Sequence, residues 1–247
     1  SCRKKPARAN SVSALVGKVD TLESVSASER IKAVNLLLED YGRQSGKERA
    51  ATADRILDML FREDITGDRL RVTARTPADS MDMLVWYWAG EYFWEKQDYA
   101  NGLHYAAKAL PLTYRIGDKL LQSDCEQLIG VFYFRKSDYV HALEHTGKSL
   151  KIDRKTGDKG RISSSLNTLA GICLAAKQFS DGEKYILEAI RYSTEAQDSN
   201  RMAIQYGMAS ELYHVMGKET QALDYAREAY MMDSARGNTA KVGIRLS

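Results

Sequence analysis

The sharpest chemical pattern in the chain is His141-Ala142-Leu143-Glu144-His145. On a helix, imidazoles at i and i+4 share a face, and with the carboxylate between them as general base this spacing can hold a catalytic zinc ion. Such an ion also needs a third protein ligand and an enclosed site with one open coordination position. Nothing near this stretch supplies either. The other two histidines, His104 and His214, are isolated. Cys125 and Cys173 fall in apolar helical patterns and read as small core residues, and with Cys2 they do not form a disulfide framework. No glycine-rich phosphate loop occurs. Acids and bases pair at helical spacing, as on any wet helix face. The expectation is therefore no metal, no cofactor and no enzymatic activity.

The elements that carry these residues follow from an internal repeat. Segments beginning at Gly90, Gly130, Ala170 and Ser210 align, each 40 residues after the last. Gly102, Ala142, Gly182 and Ala222 share one position, Ala109, Ser149, Ala189 and Ala229 another, and all are small. Each unit holds two apolar-periodic stretches separated by a short polar turn such as Lys96-Gln97-Asp98. Trp86, Ala89, Gly90 and Phe93 show the i, i+3, i+4, i+7 pattern of a helix face. Such helix pairs cannot bury their faces alone and must stack. The small residues mark where two axes approach most closely. Ala142 is one of these, which turns His141 and His145 towards the outer, convex surface, where a solvated face is expected.

Trp86, Ala89, Gly90, Phe93, Gly102 and Ala109 together resemble the tetratricopeptide-repeat (TPR) signature of a bulky residue, a small pair, an aromatic and two small residues. The period of 40, rather than the commoner one of about 34, resembles the long-helix repeats of Pins/LGN-type scaffolds and of the TPR sensor regions of bacterial transcriptional regulators. The resemblance spans residues 79–247. It implies an all-α, right-handed superhelix of stacked antiparallel helix pairs. Four units occupy 79–240, and 241–247 begin a truncated fifth, with Leu246 in register with Trp86. It also implies that the first helix of each unit lines a concave groove for a protein or peptide. By position the groove residues are Tyr87, Glu91, Trp94 and Glu95; Asp124, Gln127, Val131 and Phe134; Asn167, Gly171 and Leu174; and Ile204, Glu211 and His214. The aromatic run from Trp86 to Trp94 has two readings, packing against the N-terminal hairpin or anchoring a ligand. The groove lacks the basic and Asn positions that clamp a C-terminal carboxylate, so a chaperone-tail ligand is not expected. There are departures from the signature. Ser149 and Thr146 replace apolar or Ala residues, Gly102 and Gly182 each cost about 1 kcal/mol of helix propensity against Ala, and Pro111 should kink the second helix of unit one.

The ends differ in character. Residues 1–25 read as a tether. Its Ser-Cys start matches what remains around the cut of a bacterial lipoprotein signal, with Cys2 as the lipidation candidate and Arg3, Lys4, Lys5 and Arg8 facing an anionic surface. The alternatives are an ordinary cysteine and a solvated end. Residues 26–78 read as a diverged helical hairpin and linker capping the stack, with Ser26 and Glu29 in capping-box spacing, Ser28 a rival cap, a turn at 42–46 and a polar link from Thr66 to Pro77. The net charge of +3 is too small to argue for nucleic acid, and no apolar run reaches the roughly 18 residues a membrane span requires. The functional expectation is a protein- or peptide-binding module, the sensory or regulatory region of a larger bacterial signalling or transcription-regulator protein. The alternative is a free-standing scaffold lipoprotein. Homo-oligomerisation is open, and an extracytoplasmic, membrane-anchored location is slightly favoured over a cytoplasmic one.

Overall fold

The computed structural model describes residues 26–61 and 76–235. These form ten helices and no strands: α1 (Ala27–Tyr41), α2 (Gly46–Phe61), α3 (Ala78–Glu95), α4 (Tyr99–Ile116), α5 (Lys119–Arg135), α6 (Tyr139–Thr156), α7 (Lys159–Ala175), α8 (Phe179–Glu195), α9 (Ser199–Val215) and α10 (Glu219–Ala235). The expected tether with Cys2, most of the Thr66–Pro77 link and the start of a fifth unit lie outside the described residues. None of the described helices is long and apolar enough to cross a membrane.

Helix boundaries recur at fixed spacing because the same local chemistry sets them. Asp98, Asp118, Asp138, Asp158 and Asp198 are N-caps whose side chains accept backbone N–H bonds from the first turn. Ser26 caps α1, and Glu29 returns the bond to the Ser26 backbone N–H at 2.9 Å. The first helix of each later pair ends in a left-handed residue, Gln97, Ser137, Lys177 or Gly217. The following N–H then reaches back five residues, as from Asp98 to the Phe93 carbonyl at 2.9 Å. This closes the helix as in a Schellman turn. α4 runs through Pro111 as one helix.

Consecutive helices pack against each other along the chain from α1 to α10. In addition the backbones of α3 and α5, of α5 and α7, and of α7 and α9 come close, whereas the second helices of successive pairs stand further apart and meet through long side chains, as where Arg154 of α6 donates to Glu188 of α8 at 2.9 Å. That asymmetry curves the stack and puts α3, α5, α7 and α9 on its inner face. The repeated small residues lie at the helix crossings, and Ala109, Ala142, Ala189 and Ala229 are fully buried.

Two apolar clusters make the core. One joins α1–α5 through residues such as Leu57, Trp86, Phe93 and Phe132, and the other joins α6–α10 through Leu150, Leu166, Ile186 and Leu212. Between them runs a buried polar seam. Asp153 accepts from Ser123 Oγ at 2.5 Å, Ser165 Oγ at 2.8 Å and Arg161 Nε at 3.0 Å, and Ser149 Oγ lies 2.9 Å from Ser123 and 3.2 Å from Ser165. The Ser149 that departs from the repeat signature is thus one link in this seam. One repeat later Ser193 donates to Gln205 Oε1 at 2.6 Å, and Gln205 Nε2 bonds Ser163.

The hairpin α1–α2 is tied to α3 by a polar cluster. Tyr41 donates to Asp82 Oδ1 at 2.6 Å, Arg49 donates to the same oxygen at 2.8 and 3.0 Å, and the Arg49 guanidinium lies 4.1 Å from the Tyr41 ring centroid. The Trp86 ring meets Tyr41 edge-on at 5.2 Å and stacks on Tyr105 at 5.8 Å.

Candidate functional site

The inner face carries two joined cavities. The first, of about 260 Å³, lies between α3 and α5 and is lined by Tyr87, Glu91, Trp94, Asp124, Gln127, Leu128 and Val131. The second, of about 230 Å³, continues towards α7 and α9 through the shared Asp124 and Gln127, with Arg161, Ser164 and Arg201 on its walls and Asp153, Ser149 and Ser165 at its base. Glu91 sits one helical turn after Tyr87 and accepts its hydroxyl at Oε1, 2.9 Å away. Asp124 Oδ1 accepts from Arg161 Nη2 at 2.6 Å. Gln127 donates through Nε2 to Thr168 at 2.7 Å, and its Oε1 is buried without a partner. Asn167 Oδ1, one helix further along, is buried in the same way.

Burial raises the Glu91 carboxyl above its ordinary value, the Tyr87 hydroxyl opposes that, and the charges of Asp124 and Glu95 add to it. Burial likewise raises Asp124, against the pull of Arg161. A carboxyl whose folded pKa lies above its unfolded value gives stability that is complete below the unfolded pKa and lost as pH rises through the folded one. Both groups therefore weigh against folding at neutral pH, a cost more common at sites kept for binding than at sites kept for stability. Glu91→Gln is expected to stabilise the chain by about 1 kcal/mol at pH 7, with the gain disappearing below about pH 4. Urea unfolding at both pH values checks this, and an equal loss of stability at both would contradict it.

The expected groove residues do not all gather at one place. Tyr87, Glu91, Trp94, Asp124, Gln127 and Val131 line the first cavity. Glu95 is exposed one turn beyond it. Phe134, at the end of α5, packs against Tyr139 at 6.2 Å between ring centroids. Leu174, at the end of α7, packs on the second apolar cluster, and Gly171 lies beside Met208. Ile204 and Glu211 are exposed on α9, and His214 is exposed with Nδ1 3.1 Å from Glu219. The aromatic run divides. Trp86, Tyr92 and Phe93 enter the core, whereas Tyr87 and Trp94 face the cavity, Trp94 half-buried and 5.8 Å from the Phe132 ring. Leu128, Arg161, Ser164 and Arg201 were not expected. Arg161 and Arg201 occupy one repeat position, and that shared basic position in the first helical turn is the signal that could have found them.

The outer face corrects one expectation. His141 is exposed and 2.7 Å from Asp138, but His145 is largely buried, with Nδ1 2.7 Å from Oε2 of the buried Glu126. Tyr114 donates to the other Glu126 oxygen at 2.8 Å, and the Tyr133 ring stacks on both histidines. His145 lies three residues after Ala142, on the side of α6 that meets α5, so it sits at the rim of an interface and not on a solvated face. Glu144 is drawn away to Lys148 at 2.7 Å. The three side chains of the motif thus serve three different partners.

No protein-family model and no curated protein sequence matches the chain. Solved structures do. The apo form of RapI aligns with a TM-score of 0.62 at 12% identity, over 85% of this chain and 72% of that one. A signal transduction ATPase with numerous domains and a tetratricopeptide repeat sensor, from Pyrococcus horikoshii, aligns at 0.64 and 15% identity, over 94% of this chain and 33% of that one. The Rap conjugation gene regulator of the plasmid pLS20, in complex with the Phr* peptide, aligns at 0.58 and 18% identity, over 90% of this chain and 62% of that one. At such identities the likeness is one of fold, that of a TPR-like solenoid.

Proposed function

We propose that this chain, a TPR-like solenoid, is a peptide-binding module that holds an extended segment of another protein, or a free peptide, along the inner face of α3, α5 and α7. One observation carries the reading. A cavity with aromatic and apolar walls opens on that face and holds two partly buried carboxylates and a buried carbonyl oxygen without a donor. Such groups persist where a ligand supplies the missing contacts. The peptide complex of the similarly folded plasmid regulator supports the same reading. So does the sensor region of the Pyrococcus ATPase for a regulatory role within a larger protein. Extracytoplasmic placement rests on Cys2 alone, and a free Cys2 thiol in protein isolated from the native cell would remove it.

The test is a blocking substitution. Val131→Arg fills the first cavity, and Val140→Arg changes an exposed residue of α6. Peptides selected from a random heptapeptide display library on the unaltered chain should lose about tenfold or more in affinity for Val131→Arg and keep it for Val140→Arg. Equal binding to both would place capture elsewhere and end this reading.

A further inference from the structure

Resting on the groove reading, we propose that the cavity between α3 and α5 is a subsite for an arginine side chain of the bound peptide, its guanidinium held by Glu91 and Asp124 and its stem laid over Leu128 and Val131. The cavity holds more acceptors than donors. Glu91 takes one bond, from Tyr87 to Oε1, and Asp124 takes Arg161 at Oδ1. No donor among the described residues reaches the second oxygen of either carboxylate, and Gln127 Oε1 is buried with no partner. Three acceptors therefore line one cavity, two of them on carboxylates.

A neutral ligand could satisfy their geometry but would leave the partly buried negative charge uncompensated on the Glu91 side. A cation answers both needs, and charge-assisted bonds are about twice as strong as neutral ones. The acceptors come from two helices and different directions. A compact ammonium reaches fewer such groups at once than a guanidinium, whose five N–H donors fan out in a plane. The walls fit the rest of the side chain, since Leu128 and Val131 offer apolar surface to its methylenes, while Trp94, whose ring already carries the Arg135 guanidinium 5.3 Å from its centroid, closes one side. Arg161 fills only part of the role, because it reaches one oxygen of Asp124, turns its Nε to Asp153 and makes no ion pair with Glu91. The burial that raises both carboxyls fits the same picture, since a nearby cation would lower them again.

The test begins with heptapeptides selected from a random display library on the whole chain and resynthesised. Binders that fail on Val131→Arg should share an arginine. Replacing it with citrulline, its neutral isostere, should weaken binding about tenfold or more on the unaltered chain. On Glu91→Gln, whose melting curve certifies its fold, the same replacement should matter several-fold less. Peptides that need the cavity but lack arginine, or that tolerate citrulline equally on both proteins, overturn the arginine subsite and leave the groove standing. Peptides indifferent to Val131→Arg, or no binders at all, overturn the groove reading and this inference with it.

Discussion

Asp153→Ala is expected to lower the stability of the chain by about 3–5 kcal/mol, the range found when one partner of a buried ion pair is removed. The Asp153 carboxylate is 2% exposed and receives three donors, two hydroxyls from neighbouring helices and the Arg161 guanidinium. Without it Ser123 and Ser165 fall back on Ser149, itself a hydroxyl. Arg161 keeps Asp124 but loses its deeper partner. The position matters because the seam lies between the two apolar clusters and joins α5, α6 and α7 where no apolar cluster is continuous. Chemical denaturation should show the loss. A second expectation separates this from simple loss of packing: Asp153→Asn, which keeps the volume and some acceptor capacity, should recover part of the stability. A loss below about 1 kcal/mol for Asp153→Ala would mean that the seam is replaceable.

Gly102→Ala and Gly182→Ala are expected to act in opposite directions although they occupy the same repeat position. In an open helix interior either change gains about 1 kcal/mol of propensity. At Gly182 a new Cβ would lie 3.4 Å from the Cys173 Cβ and 3.5 Å from a Leu212 methyl, ordinary contact, so that gain should appear. At Gly102 it would fall on the ring of Phe132, which is fully buried and held by Trp94 and Tyr99. The ring cannot retreat without disturbing the wall of the groove. Overpacking of this kind costs about 1–3 kcal/mol and should outweigh the propensity gain. Thermal melts of the two single variants check the pair, and a stabilised Gly102→Ala would show that Phe132 has room to move.

These two glycines also show what a single sequence discloses. The 40-residue spacing of small residues located the helix crossings, because close approach excludes large side chains at any crossing. It could not tell why a given position is glycine. At Gly182 the residue is an unforced choice, whereas at Gly102 it makes room for an aromatic 30 residues away. The groove divides in a similar way. Positions in the middle of the first helices, Glu91, Asp124, Gln127 and Val131, follow the face that register assigns. Phe134 and Leu174 lie at helix ends, where the partner helix returns and takes up their side chains. Arg161 and Arg201 escaped notice because the repeat signature says nothing of the first helical turn. His145 escaped because its partner Glu126 comes from another helix, 19 residues earlier. A buried carboxylate facing an imidazole is a tertiary fact with no local pattern.

The central claim is that the inner face of the first helices, and not the outer face, holds the ligand. Photo-cross-linking tests this most directly. A benzophenone amino acid is placed at Val131, in the first cavity, and in a second protein at Val140, 77% exposed on the second helix of the same pair. Each is irradiated with a selected heptapeptide. Adducts are expected from position 131 and background only from position 140. Adducts from 140 with none from 131 would put the peptide on the outer face and contradict it.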